Sequence, residues 1–175
     1  MRKAYWRNAI EIDPYRKELV PICRFECRKT GGTFSLLPIQ LIPYRQYTVA
    51  AIVSMVVLAI HLQNQGKAGC EKSAGQADLL SSVTPFLVWC WLKMTAAGLR
   101  RAHRFLDRKY NLSQVRSGDG RSGLMAELTE YMKAIAGGGT VSRFHTVISA
   151  VGVFAKATGG FLFGQPSQQR IIETV

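Results

Sequence analysis

The sequence predicts a mainly α-helical protein with a small β hairpin near its N-terminus. Apolar residues recur at helical spacing from residue 47 onward, most clearly over residues 83–110. Residues 20–34 (VPICRFECRKTGGTF) read as a strand, a tight turn at 30–32 and the start of a second strand. The 47% of hydrophobic residues in a chain of 175 permits a real core. We expect three regions: a hairpin region at 1–45, a helix-turn-helix region at 46–110, and a linker with a helical tail at 111–175.

The composition points to a polyanionic partner. The chain carries 23 Lys and Arg against 11 Asp and Glu, which gives a net charge of +12 and a pI near 10.0. Such a balance favours binding to nucleic acid or to an anionic membrane surface. Its four cysteines are irregularly spaced and no secretory leader precedes them, so we expect free thiols and a cytoplasmic location.

The hairpin region leads into apolar segments. Residues 34–44 (FSLLPIQLIPY) contain Pro38 and Pro43, which predicts an extended connector on the core and no helix. Residues 47–62 (YTVAAIVSMVVLAIHL) number sixteen, whereas a membrane span needs about twenty. We interpret this segment as a buried central helix and expect no membrane partner; insertion into a membrane, flanked by Arg45 and Lys67, is the alternative. A shorter helix over residues 69–80 and a short turn follow.

Residues 83–110 (VTPFLVWCWLKMTAAGLRRAHRFLDRKY) predict one long helix with two distinct faces. Thr84 is a suitable N-cap and Pro85 suits the first helical position, whereas Gly98 weakens the middle and marks a candidate bend. One face is expected to pack in the core: Val88, Trp91, Leu92, Thr95, Leu99, Ala102 and Leu106. The opposite face is cationic: Lys93, Ala97, Arg100, Arg101, Arg104 and Arg108.

The order of helix, short helix, turn and long helix is that of a helix-turn-helix unit. The first turns of the long helix contain none of the Asn, Gln or Arg side chains that usually read base edges, so phosphate contacts are favoured over sequence readout. Phe86, Trp89 and Cys90 are either covered by the N-terminal region or a second subunit, which we favour, or they meet thymine methyl groups. The predicted nucleic-acid-binding residues are Arg45, Thr84, Lys93, Arg100, Arg101, Arg104 and Arg108.

The last third of the chain is predicted to be a linker followed by two helices. Residues 111–123 (NLSQVRSGDGRSG) are rich in turn-forming residues and read as a mobile linker. Residues 124–136 and 140–157 show helical spacing, separated by three glycines.

Residues 23–48 (CRFECRKTGGTFSLLPIQLIPYRQYT) resemble the N-terminal part of a family of bacterial insertion-sequence, transposase-associated proteins. Residues 83–93 and 161–170 are similar to that family's middle and C-terminal parts. The resemblance implies a zinc ribbon followed by helical DNA-binding segments. By position, Cys27 matches the first ligand of the second zinc knuckle, but Thr30 replaces its partner and the first knuckle is missing. We therefore expect a degenerate ribbon, truncated or decayed at its N-terminus, with no metal and no cofactor.

The sequence favours a DNA-binding module without catalytic activity. The eleven carboxylates provide no set of three on strand-like segments, as DNA cleavage with two metal ions requires, and we expect no small-molecule substrate. His61, His103 and His145 lie on separate predicted helices without neighbouring ligands. Two alternatives remain open: a helical interaction protein that binds an acidic partner, and a small membrane-associated protein.

Overall fold

A computed structural model describes residues 3–136, 140–158, 162–163 and 171–172 of the chain. Only Leu162 and Phe163 of the C-terminal segment that carries the family resemblance fall within these ranges. The strands are β1 Lys3–Ile12, β2 Tyr15–Glu26, β3 Thr33–Pro38 and β4 Ile171–Ile172. The helices are α1 Val49–Asn64, α2 Gly69–Gln76, α3 Pro85–Tyr110, α4 Gly120–Ala136 and α5 Thr140–Thr158. The predicted class, mainly α with a small N-terminal β hairpin, is confirmed.

The N-terminal sheet is an antiparallel meander. β1 and β2 pair along their whole length, from Lys3 opposite Arg24 to Ile12 opposite Tyr15, and β2 pairs with β3. Gly31 lies in the β2–β3 turn with φ +66, a left-handed conformation that glycine adopts without strain. The predicted second strand is therefore present, and the segment expected to be only a connector begins with β3. β4 adds to β3 in parallel.

α1 is the buried central helix that its apolar density predicts. Thr48 caps its N-terminus by accepting from the Ala51 amide at 3.1 Å. Nine of its residues are buried, on more than one side of the helix. None of the helices in the described ranges is long and apolar enough to cross a membrane.

α3 is unbroken from Pro85 to Tyr110, about 39 Å at 1.5 Å per residue. As predicted, Thr84 is the N-cap and accepts from the Leu87 amide at 3.2 Å. The helix ends where Asn111 takes a left-handed conformation, with φ +49. The connection from α2 spans residues 77–84, which is longer than the three or four residues of a typical helix-turn-helix turn.

α4 lies beside α3 and runs in the same direction. Arg121 lies over the Trp89 ring, and the His103 imidazole and Tyr131 hydroxyl are 2.9 Å apart. Later residues of α3 contact later residues of α4, so the two helices are parallel. Residues 111–119 must therefore run back from the end of α3 to a point near its start. The predicted mobile linker is wrong in part, because its last four residues, 120–123, belong to α4.

One buried cluster joins all three predicted regions. It includes Ile10 of β1, Ile52 of α1, Leu92 of α3, Leu128 of α4 and Val147 of α5. A smaller cluster lies between the sheet and the loop after β3: Ala9, Ile22, Leu37 and Leu41. The regions predicted from sequence thus share a core, and α3 lies at its surface.

Candidate nucleic-acid interface

The two faces predicted for α3 are confirmed. Every residue of the predicted packing face is buried, including Thr95. Every residue of the predicted cationic face is exposed. The apolar side fixes the helix to the core, and the cationic side is left toward solvent.

Arg100 differs from the other arginines of this face because a buried carboxylate holds it. Its Nε donates to Glu127 Oε1 at 2.7 Å and its Nη2 donates to Glu127 Oε2. Nη2 also donates to the Gly118 carbonyl at 3.2 Å. The Arg100 side chain is 42% exposed, whereas that of Glu127 is 1% exposed. The expected phosphate contact by Arg100 thus competes with an internal ion pair, which sequence did not predict.

The buried carboxylate of Glu127 is the group to which Arg100 is attached. Burial by itself would raise the pKa of its carboxyl, but hydrogen bonds from Arg100 and the Gly118 amide, together with the charge of Arg100, outweigh burial and lower the pKa. The carboxylate therefore stays charged and holds Arg100, while the hydrogen bond to Glu127 raises the pKa of the Arg100 guanidinium. This cluster joins α3, α4 and the loop between them.

The other edge of α3 is covered by residues 162–163. A Cβ added to Gly98 would lie 2.2 Å from the Leu162 carbonyl oxygen. Gly98 therefore allows the close approach of another chain segment, and α3 is continuous through this position. Arg101 donates from Nη2 to the same oxygen at 3.3 Å, which draws its guanidinium toward this edge.

Between these two edges lies a stripe that we call the open stripe: Lys93, Ala97, Arg104 and Arg108. All four are exposed, and within the described residues no carboxylate forms an ion pair with Arg104 or Arg108. Arg108 lies fifteen positions after Lys93, which corresponds to about 22 Å of helix. The one acidic residue of α3, Asp107, accepts from the Leu112 amide at 2.6 Å at the helix end. The open stripe is thus a line of positive charge with no acidic side chain in it.

The first turns of α3 present aromatic rings beside this stripe. Phe86 is 73% exposed, so the N-terminal region does not cover its ring. Trp89 is half-buried, with Lys93 Nζ 5.6 Å and the Arg121 guanidinium 5.7 Å from its ring centroid. Thr84 is exposed beside them, with its hydroxyl oxygen accepting from the helix as the N-cap.

Arg121 lies in α4 beside this surface, although the sequence predicts it to lie in a linker and not among the contacts. Its Nη2 donates to Glu71 Oε1 at 3.2 Å, so a carboxylate of α2 neutralises part of its charge. It also lines an open cleft of about 590 Å³ together with Lys67 and Glu71. No local pattern signals this position, because Arg121 reaches Trp89 only through the packing of α4 on α3.

Arg45, the remaining predicted contact, belongs to another part of the fold. It lies in the loop before α1, and its backbone carbonyl accepts from the Arg7 side chain. Two residues later, Tyr47 packs edge-on against Trp91, on the buried side of α3, with ring centroids 5.0 Å apart. The structure therefore does not bring Arg45 together with the open stripe.

Backbone hydrogen bonds of Cys27 close the turn between β2 and β3. The Cys27 amide donates to the Gly32 carbonyl at 2.8 Å. Hydrogen bonds lower the pKa of the Cys27 thiol. The bond from the Thr30 hydroxyl has the largest effect, and the bonds from the Thr30 and Lys29 amides have smaller effects. Thr30 thus faces the Cys27 sulfur within this turn. Over the described ranges, no three His, Cys, Asp or Glu side chains gather as a metal site would require.

No family model, no curated protein and no solved structure matches this chain.

Proposed function

We propose that this protein is a DNA-binding module that grips a duplex mainly through its phosphates, with the open stripe of α3 as the contact. The observation that carries the proposal is a line of exposed cations, without an acidic side chain, on a helix fixed by its opposite face. A rigid helix places its charges at constant spacing, and phosphates recur regularly along a DNA groove. The net charge of +12 adds long-range attraction.

The contact would involve three open cations and two at the edges. Lys93, Arg104 and Arg108 meet phosphate without breaking an internal ion pair. Arg100 and Arg101 contribute less, because Glu127 and the Leu162 carbonyl oxygen draw their guanidinium groups to either side. We include Thr84 in the proposed contact because its exposed hydroxyl can donate to a phosphate at the helix N-terminus. Arg45 is not part of this contact.

We infer little base readout from this arrangement. The first turns of α3 present Phe86 and Trp89 but no Asn, Gln or Arg, and the segment before α3 is longer than a helix-turn-helix turn. A phosphate grip fits a protein that accompanies DNA rearrangement, in line with the resemblance to insertion-sequence proteins. We propose no catalytic step, no metal and no cofactor for this module.

The salt dependence of duplex binding tests the proposal. The logarithm of the affinity for a mixed-sequence duplex should fall with the logarithm of salt concentration, with a slope of about −2.7 or steeper for three phosphate contacts. Replacing Lys93, Arg104 and Arg108 with Ala should make the slope shallower by about 2.7. The measurement is fluorescence anisotropy with a labelled duplex at several salt concentrations.

A charge-matched variant controls for the loss of net charge. Arg16→Ala, Lys17→Ala and Lys133→Ala also remove three exposed cations, on the hairpin and on α4. This control should keep the slope of the parent protein. Equal slopes for both triple variants would reject the open stripe as the contact. A polyacidic peptide that competes as well as DNA at equal ionic strength would instead favour the acidic-partner alternative.

A further inference from the structure

One face of the N-terminal sheet carries exposed apolar side chains that belong to neither buried cluster. Trp6 lies opposite Pro21 on the paired strand, and Phe25 lies opposite Phe34. Directly opposed residues share a face, and every second residue of a strand points to the same side. Asn8, opposite Leu19, lies on the same side, and the buried Ile10 and Ile12 continue this side at the far end of β1. We call the part nearer the β2–β3 turn the aromatic sheet face: Ala4, Trp6, Asn8, Leu19, Pro21, Cys23, Phe25, Phe34 and Leu36.

The aromatic sheet face is open at its most apolar point. Trp6 is 65% exposed and Leu19 is 62% exposed, while Phe25 and Phe34 are half-buried. The rings of Phe25 and Phe34 stack nearly parallel, with centroids 5.4 Å apart and planes at 16°. Alternate residues of the same strands, such as Ile22 and Leu37, form the core on the opposite side of the sheet. A contiguous apolar surface of this kind marks an interaction site.

The charge around this face selects the kind of partner. The β2–β3 turn extends Arg28 and Lys29, both exposed, next to the Phe25–Phe34 stack. Glu26 is the one carboxylate of residues 19–36, and by strand alternation both it and Arg24 point to the other face of the sheet. Cations beside aromatic rings attract an anionic partner that also has flat faces to stack. A second copy of this chain, which carries the same +12 charge, would meet repulsion instead.

We propose that the aromatic sheet face binds an unpaired nucleic-acid strand, with bases stacked on Trp6 and on the Phe25–Phe34 pair and phosphates held by Arg28 and Lys29. Phe25 lies four positions after Pro21, the residue opposite Trp6, so the two stacking positions lie roughly 14 Å apart along the sheet. Bases stack on exposed aromatic side chains without regard to sequence, and sheets with aromatic rings on an open face suit this use. This site is separate from the open stripe of α3 and does not depend on it.

Binding of an oligodeoxythymidylate tests the proposal. Trp6→Leu keeps an apolar side chain but removes the stacking surface, and it should weaken binding by roughly five- to 150-fold. Trp6→Phe should restore most of the affinity. Tyr44→Leu removes another exposed aromatic ring, in the loop before α1, and should leave the affinity unchanged. Replacing Arg28 and Lys29 with Ala should make the single-strand salt slope shallower by about 1.4.

An abasic strand of the same length separates stacking from charge. It carries the phosphates without bases, so it should bind the parent protein more weakly and Trp6→Leu should not weaken it further. In the unmodified protein, oligodeoxythymidylate should quench tryptophan fluorescence and the abasic strand should not. Oligouridylate in the same assay distinguishes RNA from DNA as the preferred strand.

Three results would overturn the proposal. The first is a change of less than twofold in the oligodeoxythymidylate affinity of Trp6→Leu. The second is an equal loss of single-strand and duplex affinity in that variant, which would show no preference for unpaired bases. The third is a sedimentation profile that shifts from dimer to monomer in Trp6→Leu, which would assign the face to a second copy of the chain. Failure of the duplex proposal would appear instead in the α3 triple variant.

Discussion

Two arginines one turn apart on α3 differ in whether the fold gives them an ionic partner. At the edge facing α4, Arg100 is held by the buried carboxylate of Glu127. One turn further along, Arg104 is exposed and forms no ion pair within the described residues. The first arginine joins parts of the fold, and the second is left for a partner. The comparison shows that a basic helical face is not uniform: the packing of its neighbours decides which cations remain open.

The largest expected change in stability is at the edge of α3 where Glu127 holds Arg100, which we call the held edge. Glu127→Ala removes the partner of Arg100 and an acceptor for the Gly118 amide, so the free energy of unfolding should fall by about 2–3 kcal/mol. We expect less than the full cost of breaking a buried pair, because Arg100 is partly exposed and regains water. Urea denaturation measures this change. Glu130→Ala, which breaks an exposed pair with Lys133, should cost less than about 1 kcal/mol. Equal effects of the two substitutions would contradict a structural role for Glu127.

The edge covered by residues 162–163 gives the next effect. Gly98→Ala forces a Cβ against the Leu162 carbonyl and should lower the free energy of unfolding by about 1–2 kcal/mol, despite the better helix propensity of Ala. Gly75→Ala in α2 meets nothing within 4 Å and should raise stability by up to about 1 kcal/mol. Thermal denaturation of both variants provides the test. If both are stabilising, Leu162 does not cover this edge.

Acid should weaken the edge of α3 at which Glu127 holds Arg100. The folded protein lowers the pKa of Glu127 below its ordinary value of 4.5. The stability that this group contributes is therefore complete above about pH 4.5 and is lost as the pH falls through the lowered pKa, at no more than about 1.4 kcal/mol per pH unit. Glu127→Gln should have a shallower decline between pH 5 and pH 3, as measured by urea denaturation at each pH. An unchanged decline would mean that Glu127 does not control this titration.

Much of α3 could be predicted from its own sequence. Thr84 and Pro85 fix the start of the helix through local hydrogen bonding and backbone geometry, and the repeat of apolar residues fixes which side is buried. The β2–β3 turn follows in the same way from Gly31 and its neighbours. In these places the cause and the effect lie within a few residues of each other.

Which arginines of α3 are bound by other parts of the fold, and which remain open to solvent, could not be predicted in this way. Arg100 and Glu127 are 27 residues apart, and Arg101 and Leu162 are 61 apart. Their contacts depend on how α4 and residues 162–163 pack on α3, which helical periodicity does not encode. The same reason explains Gly98, which the sequence suggests as a bend and the structure uses for a close approach. The N-terminal sheet likewise exposes Trp6 because of strand pairing that only the complete register reveals.

The most direct test compares Arg104→Ala with Arg100→Ala in duplex binding across a range of salt concentrations. Both variants lose one positive charge from α3, and circular dichroism confirms that each is folded under the assay conditions. We predict that Arg104→Ala makes the slope of log affinity against log salt shallower by about 0.9, and that Arg100→Ala leaves it nearly unchanged. An equal change in both variants, or a larger one for Arg100→Ala, would contradict the distinction between held and open cations.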